Sequence, residues 1–386
     1  MRAWLEIDLG VVSRNCDSIK QHLGKTGVIA VVKSDAYGHG IEAVVRVLEK
    51  KGILAFAVIS IEEATRVRKV TTLPVLIMGY LDDHEIEQAV ACGFVLSLFD
   101  IELAHLYQAA AAKVGKRAIV HLKIETGLNR LGLQPEEAEY LLLNQELFPH
   151  LRMEAVFSHL STSADRVENM GQLERFEDLL KKTWHGEQTL PLHFANSHAL
   201  TDFREGFYNA VRLGLALYGV DTVIPGLEPS MECKAVIIQR KKVRAGEGIS
   251  YNKLFRAPKD MEVGVIGIGY AEGLTQALTG KANVLVEGHR TPILGQICMN
   301  LSVIDLTDLP GQRGTHVTVV GKQTREDGTE ESIKVLDLAA AAGIRHHEIL
   351  TRFGLALPRI YINDPYEVSD QTVRNLMLRE ADLARI

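Results

Sequence analysis

The chain of 386 residues is long enough for two domains, and with 46% hydrophobic and 24% charged residues it has an ordinary globular composition and a sizeable core to bury. Its formal charge of −6 excludes nucleic acid as a principal partner, and no apolar run approaches membrane-spanning length. Glu6 and Asp8 fall where an export signal needs an apolar core, and Cys16, Cys92, Cys233 and Cys298 form no C-x-x-C pair, so reduced thiols and a cytoplasmic location are expected.

Residues 1–230 alternate short apolar runs with longer amphipathic stretches. The runs are Val28–Val32, Ile53–Ile59, Val75–Met78, Phe94–Phe99, Ala118–Ile124, Met153–Phe157, Leu192–Ala195 and Ala210–Leu217. Helical periodicity marks Ile41–Lys50, Ile61–Lys69 and Glu136–Leu143 between them. Eight strand candidates with intervening helices predict an α/β domain, a (β/α)8 barrel over residues 9–230, although the count alone leaves an open doubly wound sheet in play. In a barrel, functional residues belong at the carboxyl ends of the strands.

The first run stops at Lys33, and Gly38 and Gly40 then break the strand and open a turn. Desolvation at the end of a buried strand lowers the basicity of an amine, which suits a nucleophile that bonds a carbonyl carbon. A lysine snorkelling from a strand end fits the residues as well. Further along, Lys123 and Arg130 straddle a glycine turn, a basic loop as it stands. Phe157-Ser-His159 puts a histidine at a strand end, where most histidines are structural. Ala195-Asn-Ser197 offers a hydroxyl and amides that suit either a phosphate or an ordinary helix cap. Gly214, within Arg212-Leu-Gly-Leu215, permits close backbone approach.

From about Met231 the pattern changes to alternating runs (Ala235–Val243, Val263–Ile268, Ala282–Val286, Ser302–Leu306, His316–Val320) between Gly, Pro and Asp turns, which predicts a mostly-β domain over residues 231–386. Pro225 to Pro229 reads as the linker, Ser332 to Ala341 as a helical piece, and a mixed tail follows. His346-His347-Glu348 lacks the spacing of metal ligands on one helix face, so no metal is expected. Asn300-Leu-Ser302 matches a glycosylation sequon that has no meaning in a cytosolic chain.

Several of these stretches share one likeness. Ala30-Val-Val-Lys33-Ser-Asp-Ala-Tyr37-Gly-His-Gly40 closely resembles the pyridoxal-phosphate attachment motif of alanine racemases, enzymes of fold type III. His121 to Gly132, Asn209 to Gly219, Gly246 to Tyr251, Gly267 to Gly273 and Gly295 to Asn300 resemble further motifs of that family. The resemblance implies a pyridoxal 5'-phosphate enzyme that interconverts L- and D-alanine, acting as a cytoplasmic homodimer with shared sites and supplying D-alanine for peptidoglycan. It implies that Lys33 carries the cofactor and serves as one catalytic base, and that Tyr251 of the neighbouring subunit serves as the other. Tyr37, Ser197, Gly214 and Leu215 would hold the phosphate, His159 would lie beside the cofactor, and Arg212 would face the pyridine nitrogen. Arg130 and the Met299 amide would take the substrate carboxylate, a carbamylated Lys123 would steady Arg130, and Tyr270 would line the approach to the site. The first strand, Arg2 to Asp8, would join the β domain.

Departures from the family pattern are Glu125 and Leu128 for aspartate and methionine, Gln296 and Asn300 for arginine and aspartate, and Leu355 for a phosphate-binding tyrosine before a final strand, Leu355 to Tyr361. The last implies one phosphate hydrogen bond fewer and an altered side-chain pocket. A serine or broad-specificity racemase is therefore the alternative. A non-catalytic cofactor-binding barrel lacks the β domain and the tyrosine found here. A fold type III decarboxylase carries a glycine-rich phosphate loop and a late cysteine that this chain does not have.

Overall fold

The computed structural model describes residues 1–162, 165–184, 189–220 and 224–366. They form two compact units, one of residues 13–36 and 41–228, the other of residues 1–12, 37–40 and 229 onward. The predicted mixed tail beyond residue 366 lies outside the described residues.

β1 (Ala3–Asp8) opens the chain and belongs to the second unit. The next eight strands form the first: β2 (Gly27–Val31), β3 (Ala55–Val58), β4 (Val75–Ile77), β5 (Val95–Leu98), β6 (Ala118–Lys123), β7 (Leu151–Phe157), β8 (Leu192–Asn196) and β9 (Ala210–Leu213). Each pairs in parallel with its neighbour, and β9 returns to β2 through Gly27↔Ala210 to Ala30↔Leu213, so the barrel closes. β3, β4, β5 and β9 are buried along their whole length; β3 and β4 are wholly apolar, whereas β5 carries Ser97 and β9 carries Arg212. The eighth run is strand only as far as Leu213; Leu215–Tyr218 coils into a short 3-10 turn after Gly214.

Helices fill the crossovers, and their side-chain chemistry sets where they start. Ser60 caps Ile61–Arg68, Asp82 closes a capping box on Asp83–Cys92, and Asp100 caps Ile101–Val114. Gly93 and Gly115 end the last two in the left-handed conformation. Ile41, Val44, Val45 and Leu48 make the buried stripe of Ile41–Glu49.

The second unit is built on a nine-stranded sheet. Its central strand, β10 (Met231–Val243), pairs antiparallel with β1, with β13 (Met261–Ile266) and with β17 (His316–Thr324). A small ribbon, β11 (Gly248–Ile249) against β12 (Phe255–Arg256), projects between them in sequence. β14 (Asn283–Val286), β15 (His289–Leu294), β16 (Ser302–Asp305) and β18 (Glu330–Ile333) complete the antiparallel part, and β19 (Arg359–Ile362) adds in parallel to β1. The helix expected over Ser332 to Ala341 starts later, as Val335–Ala342, because Glu330–Ile333 is drawn into the sheet by β17. Among the described residues no helix is long and apolar enough to cross a membrane.

Gly38 and Gly40 have a packing reason to be glycine. Gly38 sits at φ +85° with a would-be Cβ 2.6 Å from the Leu350 carbonyl oxygen, and at Gly40 (φ +94°) it would strike the Tyr361 hydroxyl. Gly354 faces Gly38 so closely that its own Cβ would lie 2.1 Å from the Gly38 Cα. Arg359 fastens the contact by donating from Nε to Gly38 O at 2.8 Å and from Nη2 to Gly354 O at 2.6 Å. Gly354→Ala should therefore lower stability by about 1–3 kcal/mol, since two backbones would have to separate. A urea midpoint unchanged from the parent would show that the contact is not tight.

Candidate active site

The carboxyl ends of the barrel strands collect the titratable groups. β2 stops at Val31, and Ala36 N donates to Val32 O at 2.8 Å, closing a turn around Lys33. That turn is left-handed: Ser34, Asp35, Ala36 and Tyr37 have φ of 52°, 52°, 55° and 53°. Left-handed helical backbone costs an L-residue roughly 1–2 kcal/mol, so four in succession must be held by their surroundings. Lys33 is partly buried, and burial lowers its basicity first, the nearby Arg130 cation second, with Glu63 opposing.

The deepest charge is Arg212, inside β9 and only 3% exposed. Its Nη1 donates to His193 Nδ1 at 2.8 Å and to His193 O at 2.5 Å; its Nη2 donates to Ser158 O at 2.5 Å, Phe194 O at 3.1 Å and His159 Nδ1 at 3.2 Å. The guanidinium carbon lies 5.1 Å from the centre of the Phe157 ring, which in turn stacks on His193. No carboxylate pairs with Arg212 among the described residues. Burial pushes it down to about 9, so it is cationic at neutral pH.

That cation fixes the protons of three histidines. A nitrogen that accepts from a guanidinium cannot carry hydrogen, so both His193 and His159 are protonated at Nε2. His193 Nε2 then donates to His121 Nδ1 at 3.0 Å, which leaves the His121 proton on its own Nε2. Burial and the Arg212 charge hold His159 and His193 well below the usual imidazole range and His121 at about 4. Sequence reasoning missed His121 and His193, because a histidine inside a strand has no local signature.

Lys123 ends β6 and is buried; burial first, then the Arg130 and Arg212 cations, lower it to about 8. Arg130 lies exposed in the following loop. Ser197 opens a short 3-10 turn after β8, and its hydroxyl accepts from the amides of Gly214 at 3.2 Å and Ala216 at 3.4 Å, with Leu215 buried between them. Lys33, Lys123, Arg130 and Arg212 thus act on one another, with Glu63 and Glu125 opposing. This excess of cations around a weakly basic amine fits an anionic ligand carrying a carbonyl, and pyridoxal phosphate is such a group.

The remaining predicted residues belong to the other unit. Tyr37 is partly buried, and burial raises its phenol to about 12, so it presents an O–H. Tyr251 stands 66% exposed on the loop between β11 and β12, flanked by Ser250 (φ 63°, ψ −169°) and Asn252 (φ 56°). Ser250 donates to Gln296 O at 2.6 Å and Asn252 to Gln296 Oε1 at 3.0 Å, so the Gln296 departure has a local partner. Met299 is 56% exposed, and its amide has no hydrogen-bond partner among the described residues. Tyr270 N donates to Cys298 O at 3.1 Å and Ala271 N to Met299 O at 2.8 Å, a contact that Gly269 permits because a Cβ there would lie 2.3 Å from Cys298 O. Glu272 accepts from Gly269 N, Arg2 and Asn300 Nδ2, which locks the same two loops together and gives Asn300 its role. Leu355 is not on the final strand: the helix His346–Ala356 runs past it and leaves it 83% exposed, since Leu357 N still bonds Phe353 O and the strand begins only at Arg359.

Residues 7–222 match the family described as "Alanine racemase, N-terminal domain", and residues 230–361 match "Alanine racemase, C-terminal domain". An alanine racemase of Thermodesulfovibrio yellowstonii is 36% identical over 94% of this chain and 98% of its own. The alanine racemase of D-cycloserine-producing Streptomyces lavendulae superposes with TM-score 0.86 at 28% identity, covering 94% of this chain and 97% of that one. The enzyme of Bartonella henselae, solved with covalently bound pyridoxal phosphate, gives TM-score 0.84 at 28% identity over 94% and 100%.

Three imidazoles kept neutral by burial make the barrel acid-sensitive. Their folded-state affinity for protons lies below the unfolded value near 6.5, so the unfolded chain binds more protons as pH falls and stability drops with it. Between pH 6.5 and about 4, His121 alone accounts for a loss on the order of 3 kcal/mol. Urea titrations at pH 7.0, 6.0 and 5.0 should show falling stability, with a shallower slope in His121→Gln; parallel slopes would refute the assignment.

Proposed function

The chain belongs to the alanine racemase family, and we propose that it interconverts L- and D-alanine with pyridoxal 5'-phosphate as cofactor. The observation that carries the reading is the Lys33 amine at the end of β2, its basicity lowered by burial and by Arg130, in a chain that matches the family in both domains. In this reading residues 9–230 form the cofactor-binding barrel, and residues 231–386 with the first strand supply the second base.

Lys33 would hold the cofactor, with Tyr37, Ser197 and the Gly214 and Leu215 amides on its phosphate. The bound cofactor supplies an electron sink that acidifies the Cα–H of alanine. Arg130 and the free Met299 amide grip the substrate carboxylate. Arg212 would face the pyridine nitrogen with an N–H that it would not surrender, and that nitrogen would stay unprotonated. Lys33 Nζ moves a proton on one face of the substrate carbon and the Tyr251 phenol oxygen moves one on the other. His159 carries its proton on Nε2, the state that can donate to the tyrosine oxygen. With a basicity near 8, part of Lys123 is neutral amine, the form that combines with carbon dioxide to give a carbamate anion facing Arg130.

Tyr251, Leu254, Met299 and Leu355 are exposed on the second unit and support a homodimer in which each site takes Tyr251 from the partner. A cytoplasmic enzyme supplying D-alanine for peptidoglycan completes the proposal.

Incubating the protein with L-alanine and pyridoxal phosphate should yield D-alanine by chiral chromatography without release of carbon dioxide, and borohydride reduction should place the pyridoxyl group on Lys33. A label on another lysine, or carbon dioxide as product, would sink the reading. Mixing inactive Lys33→Ala and Tyr251→Phe proteins should restore part of the activity, because one hybrid site regains both bases; full activity in a proven monomer would exclude the shared site.

A further inference from the structure

We propose that Glu63 and Arg66, on the helix Ile61–Arg68, are positioning residues for Lys33, which they act on by clamping the left-handed turn that follows it. The inference rests on the reading of Lys33 as the cofactor-bearing lysine.

Ser60-Ile-Glu-Glu63 has the sequence of a capping box, and half of the box is present, with Glu63 N donating to Ser60 Oγ at 3.3 Å. In the usual box the glutamate returns to the amide of the cap residue. Here its carboxylate is directed elsewhere: Oε2 accepts from Ile59 N at 3.1 Å and Oε1 from Asp35 N at 3.2 Å. One carboxylate therefore ties the end of the β3 segment to the second residue after Lys33.

Asp35 holds the other side of the turn. Its Oδ1 accepts from Ile41 N at 2.9 Å and from Arg66 Nη2 at 2.8 Å, so the carboxylate reaches the point where the chain re-joins the barrel unit. Arg66 is itself fixed by a fork onto Glu42, through Nε and Nη2 at 2.6 Å each. Backbone in a sparsely populated region persists only when its surroundings over-determine it, and these groups are among those that restrain it. Glu63 also opposes the burial and the Arg130 cation that weaken the Lys33 amine. Lys123 and His159 are the other titratable groups that interact with Lys33 from the barrel strands.

Glu63→Ala, Glu63→Gln, Arg66→Lys and a Glu62→Ala control would be compared in the holoenzyme. Glu63→Ala should lower kcat by about 10- to 100-fold, the loss expected from a misplaced reacting group, with KM for alanine within about twofold. Borohydride trapping at fixed pyridoxal phosphate should place less label on Lys33. Glu63→Gln, which keeps one acceptor but sets an NH2 against the other amide, should recover only part of both, Arg66→Lys should likewise fall between Glu63→Ala and the parent, and Glu62→Ala should match the parent. Adding Ser34→Gly to Glu63→Ala should restore part of the loss, because glycine accepts the left-handed turn without constraint. If Glu63→Ala does not fold, Glu63→Gln and Arg66→Lys decide. Parental kcat and Lys33 labelling in Glu63→Ala, or in both conservative variants, would overturn the inference, as would failure of Ser34→Gly to rescue a folded Glu63→Ala. If the parent itself carries its label elsewhere than Lys33, it is the functional reading that fails.

Discussion

A buried guanidinium without a counter-ion constrains the barrel more than any other single feature. Arg212 donates to three backbone carbonyls and two imidazole nitrogens, and lies against the face of Phe157. Neutral acceptors satisfy hydrogen bonding but do not cancel charge, so the field of Arg212 reaches its neighbours. Burial is the larger cause, and the Arg212 charge adds to it in lowering His121, His159, His193 and Lys123. The same bonds assign every imidazole proton along the line His159, Arg212, His193, His121. A carboxylate partner for Arg212 would have quenched the field and freed those tautomers.

The second unit holds two loops in a fixed relation by backbone contact and one buried carboxylate. Gly269 lets the backbones touch, and the short ladder through Tyr270 and Ala271 sets their register. Glu272, 7% exposed, is satisfied by an amide, a guanidinium and an amide side chain. A buried carboxylate with all three in place is cheap to keep charged, whereas losing one donor would leave desolvation unopposed. An aspartate at position 300 would present Glu272 with a like charge where Asn300 now donates, so the departure at this position changes the electrostatics of the loop that carries the Met299 amide.

Much of this was legible from the chain, and what was not has physical reasons. The barrel strands announce themselves because most of their residues are buried and apolar, and the run ending at Leu217 passes the strand's end at Leu213 because the following 3-10 turn is equally apolar. Lys33, Lys123, His159 and Ser197 could be placed at strand ends because breakers or polar residues follow them. His193 and Glu63 could not be singled out, since one is inside a strand and the other looks like half of a helix cap; their significance lies in partners 19 and 28 residues distant in sequence. Leu355 opens the final strand expected from the sequence, but the helix continues through Ala356 and the strand begins only at Arg359.

The left-handed turn was invisible for a sharper reason. Ser-Asp-Ala-Tyr contains no glycine, and the ordinary rule assigns positive φ to glycine. Gly38 and Gly40 drew attention instead, yet they answer to close contacts with Gly354 and Tyr361. A glycine-built turn after Lys33 would carry less strain but would also admit many backbone states. Four side chains confine the same turn to one narrow basin, and one of them, Asp35, furnishes its own anchoring carboxylate. In the proposed reading, where Lys33 presents one amine to the cofactor, a stiff turn held by external hydrogen bonds fixes direction better than a relaxed one. Strain concentrated beside a reactive residue, with its restraint supplied from a neighbouring helix, is therefore the arrangement that positional accuracy favours at this strand end.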